Sequence, residues 1–355
     1  MHQKKILVGA LNWGLGHATR CIPVIDALQE QGAKVVLASD GGALDLWREH
    51  YPSLPWVELP SYNIHYPSTN MVWNMARQLP QIWRAIQQEQ QQVGAIVEQF
   101  GVEGIVSDNR YGLRKKGLPA VFMSHQLHLK LPFWVCPPLV NALHQQYIAA
   151  FDACWVPDRA GVPNLAGALA HPPVEGGQYI GALSRFSPIA ELDKKWEVLV
   201  VLSGPEPQRQ YLEDALKEQL LALPYKSLII RGKPSQQTCQ QLGEQLYIQD
   251  FMPQKALQTT FAQSQWVIAR SGYSTLLDLA ALQIPKALLL PTPGQTEQEY
   301  LAQHLAQQGH CIYQDQAQLD LKSGLVQLAQ LAPKPLLPPS SNLLQPTIQT
   351  WLSSI

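Results

Sequence analysis

Short, nearly continuous apolar runs recur along the chain, and between them apolar positions spread to helical spacing. In the first half the runs at 5–9, 34–39, 56–59, 104–107, 120–123 and 153–156 read as strands. Between the first two, Ile22, Ile25 and Leu28 recur on one helical face of 19–31, and Gly32 suits the helix end. A Gln-rich helical stretch covers 71–100, with an interruption expected near Pro80. From Trp196 a second set begins. Its strands are 197–202, 227–231, 245–248, 266–269 and 287–290, and its helices include 208–221, 254–263 and 274–282. Apolar strands alternating with helices predict parallel sheets covered on both faces.

The fold class is therefore α/β, with two doubly wound, Rossmann-like domains in tandem. The first covers 1–157 and the second 196–336. The Gly- and Pro-richer stretch 158–195 reads as their connection. A Pro-rich segment, 332–341, precedes a short last helix within 337–355, expected to pack back on the first domain. The length of 355 residues accommodates two cores without disulfides. In such sheets ligands bind beyond the carboxyl ends of the strands, and a cleft between two such domains is the expected site.

Composition removes several function classes. The net charge is −1, which draws the chain to neither nucleic acid nor anionic lipid as a whole. Cys21, Cys136, Cys154, Cys239 and Cys311 form no C-x-x-C pair, which argues against a zinc site and a disulfide framework and for a reducing, cytoplasmic setting. Cys154 reads as core. The N-terminus lacks the apolar length of a signal peptide, and no apolar run is long enough to span a membrane.

Two turns carry candidate chemistry. After the first strand comes Asn12-Trp13-Gly14-Leu15-Gly16-His17-Ala18-Thr19-Arg20. Gly14 and Gly16 permit a tight turn and close approach of a ligand, and the following helix start offers N–H groups to an anion. A dinucleotide fingerprint is a poor match, because Thr19 stands where its third glycine belongs, although Asp40 could serve as its ribose acid. His17 suits a general base near neutral pH; the plain alternative is a helix-start histidine bonded to local backbone. The second turn, Arg270-Ser271-Gly272-Tyr273-Ser274-Thr275, follows a buried strand. There Gly272 supplies the turn, Ser274 is the expected N-cap and Thr275 adds a hydroxyl, together a cradle for a diphosphate or an ordinary capped helix start. Asp278, one turn on, can accept both ribose hydroxyls or simply complement the helix dipole. Gln298 and Glu299 open the next helix, within reach of sugar hydroxyls.

These residues carry a resemblance. The Gly-Leu-Gly-His turn, the loop Leu202-Ser203-Gly204-Pro205, Arg-Ser-Gly-x-x-Thr followed by an acid, and Gln-Glu-Tyr in the next helix resemble the GT-B glycosyltransferases, family 28 most of all. The resemblance covers nearly the whole chain. It implies a GT-B fold, a UDP-sugar donor as co-substrate, transfer with inversion, and no cofactor and no metal. The absence of a D-x-D motif agrees with the last point. It further implies that Gly14, Gly16, Ser203, Gly204, Arg270, Ser271, Gly272, Ser274 and Thr275 surround the donor. By the same resemblance Asp278 binds the ribose, Phe251 and Met252 hold the uracil through their backbone, and Gln298 and Glu299 touch the sugar. The family usually has Glu at the position of Asp278 and often a second Gln at that of Glu299. The first turn departs from the Gly-Gly-x-Gly-Gly-His of the peptidoglycan-precursor enzyme and is similar to looser GT-B relatives, one of them a nucleotide-sugar hydrolase. The Asp-Ser-Gly-Gly turn of the 2-epimerases is here Arg-Ser-Gly-Tyr.

Acceptor recognition falls to the first domain. Asp108, Asn109 and His125 follow strand ends, and Asn12 lies in the first turn, so Asp108 could orient His17 or bind an acceptor hydroxyl. The apolar stretch 127–138, with Leu131, Phe133, Trp134 and Val135 beside Lys130, suits either domain packing or peripheral contact of a cytoplasmic protein with the inner membrane face, where a lipid-linked acceptor would lie. A glycan acceptor, water as acceptor, and a non-catalytic nucleotide-sugar-binding subunit are the alternatives.

Overall fold

A computed structural model describes residues 3–63, 71–131, 136–190, 192–204, 206–233, 238–338 and 343–355, at 71–76 in backbone only. The chain divides into two compact units, Met1–Arg185 with Ser340–Ile355, and Phe186–Pro339.

The first unit holds strands β1 (Lys5–Ala10), β2 (Lys34–Ser39), β3 (Trp56–Glu58), β4 (Gly104–Asp108), β5 (Ala120–Met123), β6 (Ala153–Val156) and β7 (Gly177–Tyr179). They form one all-parallel sheet in the order β3-β2-β1-β4-β5-β6-β7. Helices α1 (Gly16–Glu30), α2 (Gly41–His50), α3 (Met71–Phe100) and α4 (Pro137–Ile148) connect them. Of the predicted face of α1, Ile25 and Leu28 pack on Ile6, Val8, Val35 and Leu37 together with Cys21 and Val24, and Ile22 is buried outside that cluster. The last helix, α10 (Leu344–Ser354), joins this core through Leu344 and Ile348, with Trp351 set edge-on to Trp155 at 5.6 Å.

The second unit holds β8 (Trp196–Val201), β9 (Ser227–Ile230), β10 (Cys239–Leu242), β11 (Leu246–Gln249), β12 (Ser264–Ala269), β13 (Ala287–Leu289) and β14 (Ile312–Tyr313). Their order is β10-β11-β9-β8-β12-β13-β14, parallel except for the edge pair β10–β11. Helices α5 (Gln208–Leu221), α6 (Gln254–Ala262), α7 (Tyr273–Ala281), α8 (Thr296–Gln307) and α9 (Leu321–Gln330) complete it. Its core joins Val198, Val200, Ile229 and Ile268 to Leu212 and Leu216 of α5 and Leu325 of α9.

Two expectations change. Pro80 does not interrupt the long helix, which runs unbroken from Met71 to Phe100. A mid-helix proline costs about 3 kcal/mol. Burial of Ala85, Ile86, Val93 and Ile96 on the same helix offsets it. The stretch 158–195 is not a free connection. Its strand β7 extends the first sheet, and the division between units falls after Arg185. Asp158 explains why this Gly- and Pro-rich chain stays ordered: its buried carboxylate accepts from the backbone N–H groups of Leu165 and Ala166 at 3.2 and 2.8 Å.

Each sheet reverses its winding once. Strands are added in one direction from β1 to β3 and in the other from β4 onward, so the first sheet's switch point lies between β1 and β4. In the second sheet it lies between β8 and β12. Loops leaving the carboxyl ends of two such strands turn to opposite faces and leave a crevice, the favoured ligand position in open α/β sheets.

Candidate functional site

The first switch point gathers residues from the turn after β1, the start of α1 and the ends of β4 and β5. Leu11 N–H bonds the Asp108 carbonyl at 3.0 Å, tying the turn to the end of β4. Gly14 has φ +71°, a left-handed conformation that glycine adopts without strain. Trp13 and Leu15 on either side of it are exposed. Asn12 Nδ2 donates to Asp40 Oδ2 at 3.1 Å, bracing the turn against α2.

Asp108 is wholly buried and is the centre of the cluster. Arg20 donates to it twice, through Nε to Oδ2 at 2.7 Å and through Nη2 to Oδ1. Cys21 Sγ reaches Oδ2 at 3.5 Å, and Asn109 Nδ2 donates to Oδ1 at 3.2 Å from a backbone with φ +56°. His17 Nδ1 lies 3.3 Å from Oδ2. Burial pushes the Asp108 carboxyl up, but the Arg20 guanidinium outweighs it and holds the group well below the usual carboxylate range. Burial and the Asp108 charge push the Cys21 thiol up, so it stays protonated and donates. Arg20 also reaches His17 Nδ1 through Nη2 at 2.9 Å and His125 Nδ1 through Nη1 at 3.0 Å. The structure thus brings His17, Asp108, Asn109 and His125 together, and Asn12 lies one turn away.

Sequence reasoning quoted Arg20 but gave it no role. The signal was there: Arg20 lies three residues after His17 on the same helix, hence on the same face. It also missed a second buried cluster. Arg110 pairs with Asp40 at 2.7 Å and Glu89 at 2.5 Å and donates to the Pro60 carbonyl at 2.6 Å; Tyr62 donates to Glu89 at 2.9 Å. Asp40 is thereby committed to Arg110 and Asn12, which leaves it no part as a ribose acid.

The second switch point is built differently. Arg270 follows β12 and is 1% exposed, and among the described residues no carboxylate lies within ion-pair distance of it. It donates to the carbonyls of Leu290 and Pro291 after β13 at 3.1 and 2.9 Å, and of Gln208 after the β8 loop at 3.0 Å. The guanidinium therefore staples the loops of three adjacent strands, and its Nε has no partner. Desolvation pushes its pKa down to about 10, so the guanidinium keeps its charge at neutral pH. Thr292 Oγ1, at the end of the neighbouring strand, is likewise buried without a partner.

Helix α7 starts at Tyr273, so its N-cap is Gly272 and not Ser274, and no side chain caps it. Ser274 and Thr275 lie inside the first turn, and Asp278 lies further along. Gly272 has φ −64° and ψ 140°, open to any residue, and an added Cβ would meet only Gln298 Nε2 at 3.9 Å. Neither backbone conformation nor present contacts demand a glycine there. Ser271 is buried and donates to the Gln298 carbonyl at 2.7 Å. Gln298 Oε1 accepts from Thr292 N–H at 2.9 Å and its amide donates to Gln295, while Glu299 accepts from Gly294 N–H at 2.9 Å. Both side chains expected at the donor sugar shape the 291–295 loop in this state. Across the switch point Gly204 has φ +98°, with Ser203 before it. After β11 the Phe251 carbonyl accepts from Gln249 at 2.9 Å, and Met252 Sδ accepts from Thr260 at 3.2 Å.

Other candidates fall outside these crevices. Residues 132–135 and Pro205 lie beyond the described residues, so the apolar stretch 127–138 is defined only at its flanks, where Leu127 is buried and Leu139 and Leu143 are exposed. Cys154 is buried in β6, its thiol pushed up to about 12 by desolvation, as a core residue should be. A hollow of about 320 Å³ lined by Lys5, Gln29, Lys34, Leu54, Pro55 and Phe100 lies at the amino ends of β1 and β2, away from all the chemistry. Among the described residues no helix is long and apolar enough to cross a membrane, and no group of three His, Cys, Asp or Glu side chains could hold a metal ion.

Residues 198–344 match the family model of the glycosyltransferase family 28 C-terminal domain. A sequence search of curated proteins gave no match. Among solved structures, the glycotransferase of kitacinnamycin aligns with TM-score 0.68 and 16% identity over 100% of this chain and 94% of that one. MurG of Acinetobacter baumannii aligns with TM-score 0.61 and 15% identity over 99% and 100%. The spinosyn rhamnosyltransferase SpnG, solved with thymidine diphosphate, aligns with TM-score 0.59 and 15% identity over 99% and 96%. The structural likeness is one of fold, GT-B, and the family match falls on the second unit. The chain as a whole has the GT-B fold, and its residues 198–344 resemble the C-terminal domain of family 28 glycosyltransferases.

Proposed function

We propose that this glycosyltransferase moves a hexose or N-acetylhexosamine from a UDP-sugar to an acceptor hydroxyl, binding the donor on the second unit and using His17 and Asp108 of the first as the proton-accepting pair. The observation that carries the donor assignment is Arg270, a buried cation that meets no carboxylate among the described residues at the second switch point. A charge left that way is costly unless something anionic meets it. Helix α7, whose N-cap Gly272 carries no side chain, starts at the same place with the positive end of its dipole, and a diphosphate answers both charges. Gly272, which nothing inside the protein requires, leaves room for that approach. One structural neighbour, SpnG, was solved with thymidine diphosphate, which supports a nucleoside diphosphate as the ligand class.

In the proposed reaction the acceptor oxygen forms a bond to the anomeric carbon while the bond from that carbon to the β-phosphate oxygen breaks. The acceptor proton passes to His17 Nε2, and the diphosphate leaves with the electron pair. Attack opposite the leaving group inverts the anomeric carbon. Arg270 and backbone N–H groups meet the diphosphate charge, so turnover should persist in EDTA. The five free thiols suit a reducing, cytoplasmic setting, and a lipid-linked or glycan acceptor fits this reading.

The test is a thermal-shift series with uridine, UMP, UDP and UDP-sugars. A ligand at about 100 times its Kd adds roughly 2.7 kcal/mol. The reading expects a clear shift for UDP and UDP-sugars and little for uridine. Equal shifts for uridine and UDP would remove the diphosphate from the argument. UDP release is then measured with and without candidate acceptors: release that needs an acceptor supports transfer, and equal release in water alone makes the protein a hydrolase.

A further inference from the structure

The dyad reading assumes that Asp108 holds His17 by its Nδ1–H and leaves Nε2 free to take a proton. The geometry around Arg20 says otherwise for the resting protein. His17 Nδ1 lies 3.3 Å from Asp108 Oδ2, a long contact, and 2.9 Å from Arg20 Nη2. A guanidinium nitrogen only donates, so Nδ1 must accept from it and cannot carry a proton at the same time. Asp108 has little need of His17, because Arg20 bonds both its oxygens and Cys21 and Asn109 add to them. The same guanidinium donates to His125 Nδ1 at 3.0 Å.

We propose that Arg20 is a positioning residue that sets the place of the proton on His17. With Arg20 on Nδ1, the neutral ring carries its hydrogen on Nε2 and presents a donor, not a base, at its partly exposed edge. His17 becomes the base when Arg20 Nη2 releases Nδ1 and keeps Asp108 Oδ1, and Asp108 Oδ2 takes an Nδ1–H. The ring then holds the same single proton on the other nitrogen, exchanged through solvent, and Nε2 has its lone pair free. His125, held by the same guanidinium, carries its proton on Nε2 too. Arg20 thus keeps His17 from activating water until an acceptor hydroxyl makes the exchange of partners worthwhile. This rests on the reading of His17 as the transferase base, but its first test does not.

That test is 15N NMR of the full-length protein without donor or acceptor, with the His17 ring signals assigned by their loss in His17→Gln. The expected wild-type pattern is a bare Nδ1 and a protonated Nε2; a protonated Nδ1 overturns the proposal whatever the protein catalyses. Arg20→Met should move the His17 proton to Nδ1, facing Asp108, and an unchanged pattern there also overturns it. If Arg20→Met fails to fold, Asp108→Asn serves instead. Arg20 still donates to Nδ1 in that variant, so the wild-type pattern should persist, and its loss counts against Arg20 as the determinant. Activity is read last: Arg20→Met should raise UDP release in the absence of acceptor relative to release with it. If the NMR pattern holds and no variant or wild type releases UDP under any condition, the transferase reading fails and the proton assignment stands.

Discussion

The two switch points share a backbone design and differ in how they treat charge. At the first, buried cations meet carboxylates: Arg20 sits on Asp108, and Arg110 sits on Asp40 and Glu89. At the second, Arg270 is buried, among the described residues, against carbonyl oxygens alone. This is not a habit of the second unit, because Arg209 and Arg231, close by in sequence to its loops, pair with Glu213 and Asp250. A crevice whose cations are all met by carboxylates can hold an uncharged hydroxyl and shift a proton between fixed partners. A crevice with a surplus cation favours an anion that arrives from outside. On the proposed reading, the difference assigns donor binding to the second unit and proton transfer to the first.

The largest expected effect falls on chemistry at the first crevice. His17→Ala should lower kcat by about 10²- to 10⁴-fold, the usual worth of a general base, and leave the calorimetric Kd for UDP unchanged. Activity near the wild-type rate would take His17 out of the chemistry. Next in size is stability at the same place. Arg20→Met strands the buried Asp108 carboxylate and should cost about 3–5 kcal/mol in urea unfolding. The acid dependence follows from the lowered Asp108 pKa. A carboxyl with a lower pKa folded than unfolded contributes stability above its unfolded pKa, about 3.9, and loses it as pH falls toward the folded value. Asp108→Asn should therefore flatten the stability profile below about pH 4. A profile as steep as wild type would assign the acid sensitivity to other carboxylates.

At the cationic crevice the effects should appear in binding. Asp278→Ala should weaken UDP by about 1–3 kcal/mol, the scale of a lost hydrogen bond to a charged group, with the fold intact. An unchanged Kd would leave Asp278 a helix residue with no ribose to hold.

The strands of both sheets were legible because buried parallel strands are near-continuous apolar runs, as in β1, β4 and β12. Those that escaped, β7, β10 and β14, are short edge strands; β10 is mostly exposed, and none carries an apolar pattern to read. Helix α2 escaped because it opens on Gly41-Gly42, a turn signal. Both crevices could be named because glycines and polar residues cluster where strands end. What could not be read was the partnering inside them. Gln298 and Glu299 read as sugar contacts, yet both shape the 291–295 loop, and Arg20 lies nearer His17 Nδ1 than Asp108 does, at 2.9 against 3.3 Å, a difference that only the folded packing fixes.

Gly272 gives the smallest effect and the sharpest separation of the two crevices. Gly14, in the first turn, is held at φ +71°, so Gly14→Ala should cost stability by about 1–2 kcal/mol whether or not a ligand exists. Gly272 has an ordinary backbone conformation and room for a methyl group. Removing a glycine's unfolded-state freedom stabilises a protein by about 0.4–1 kcal/mol, which at an N-cap is offset by the poorer capping of alanine. Gly272→Ala should therefore leave Tm nearly unchanged while weakening UDP, because on the proposed reading the diphosphate approaches the start of α7 there. A variant as stable as wild type that also binds UDP as wild type would show that the glycine is incidental, and the surplus charge on Arg270 would then need another explanation. A variant as stable as wild type that binds UDP less tightly ties the space at Gly272 and the charge at Arg270 to one ligand.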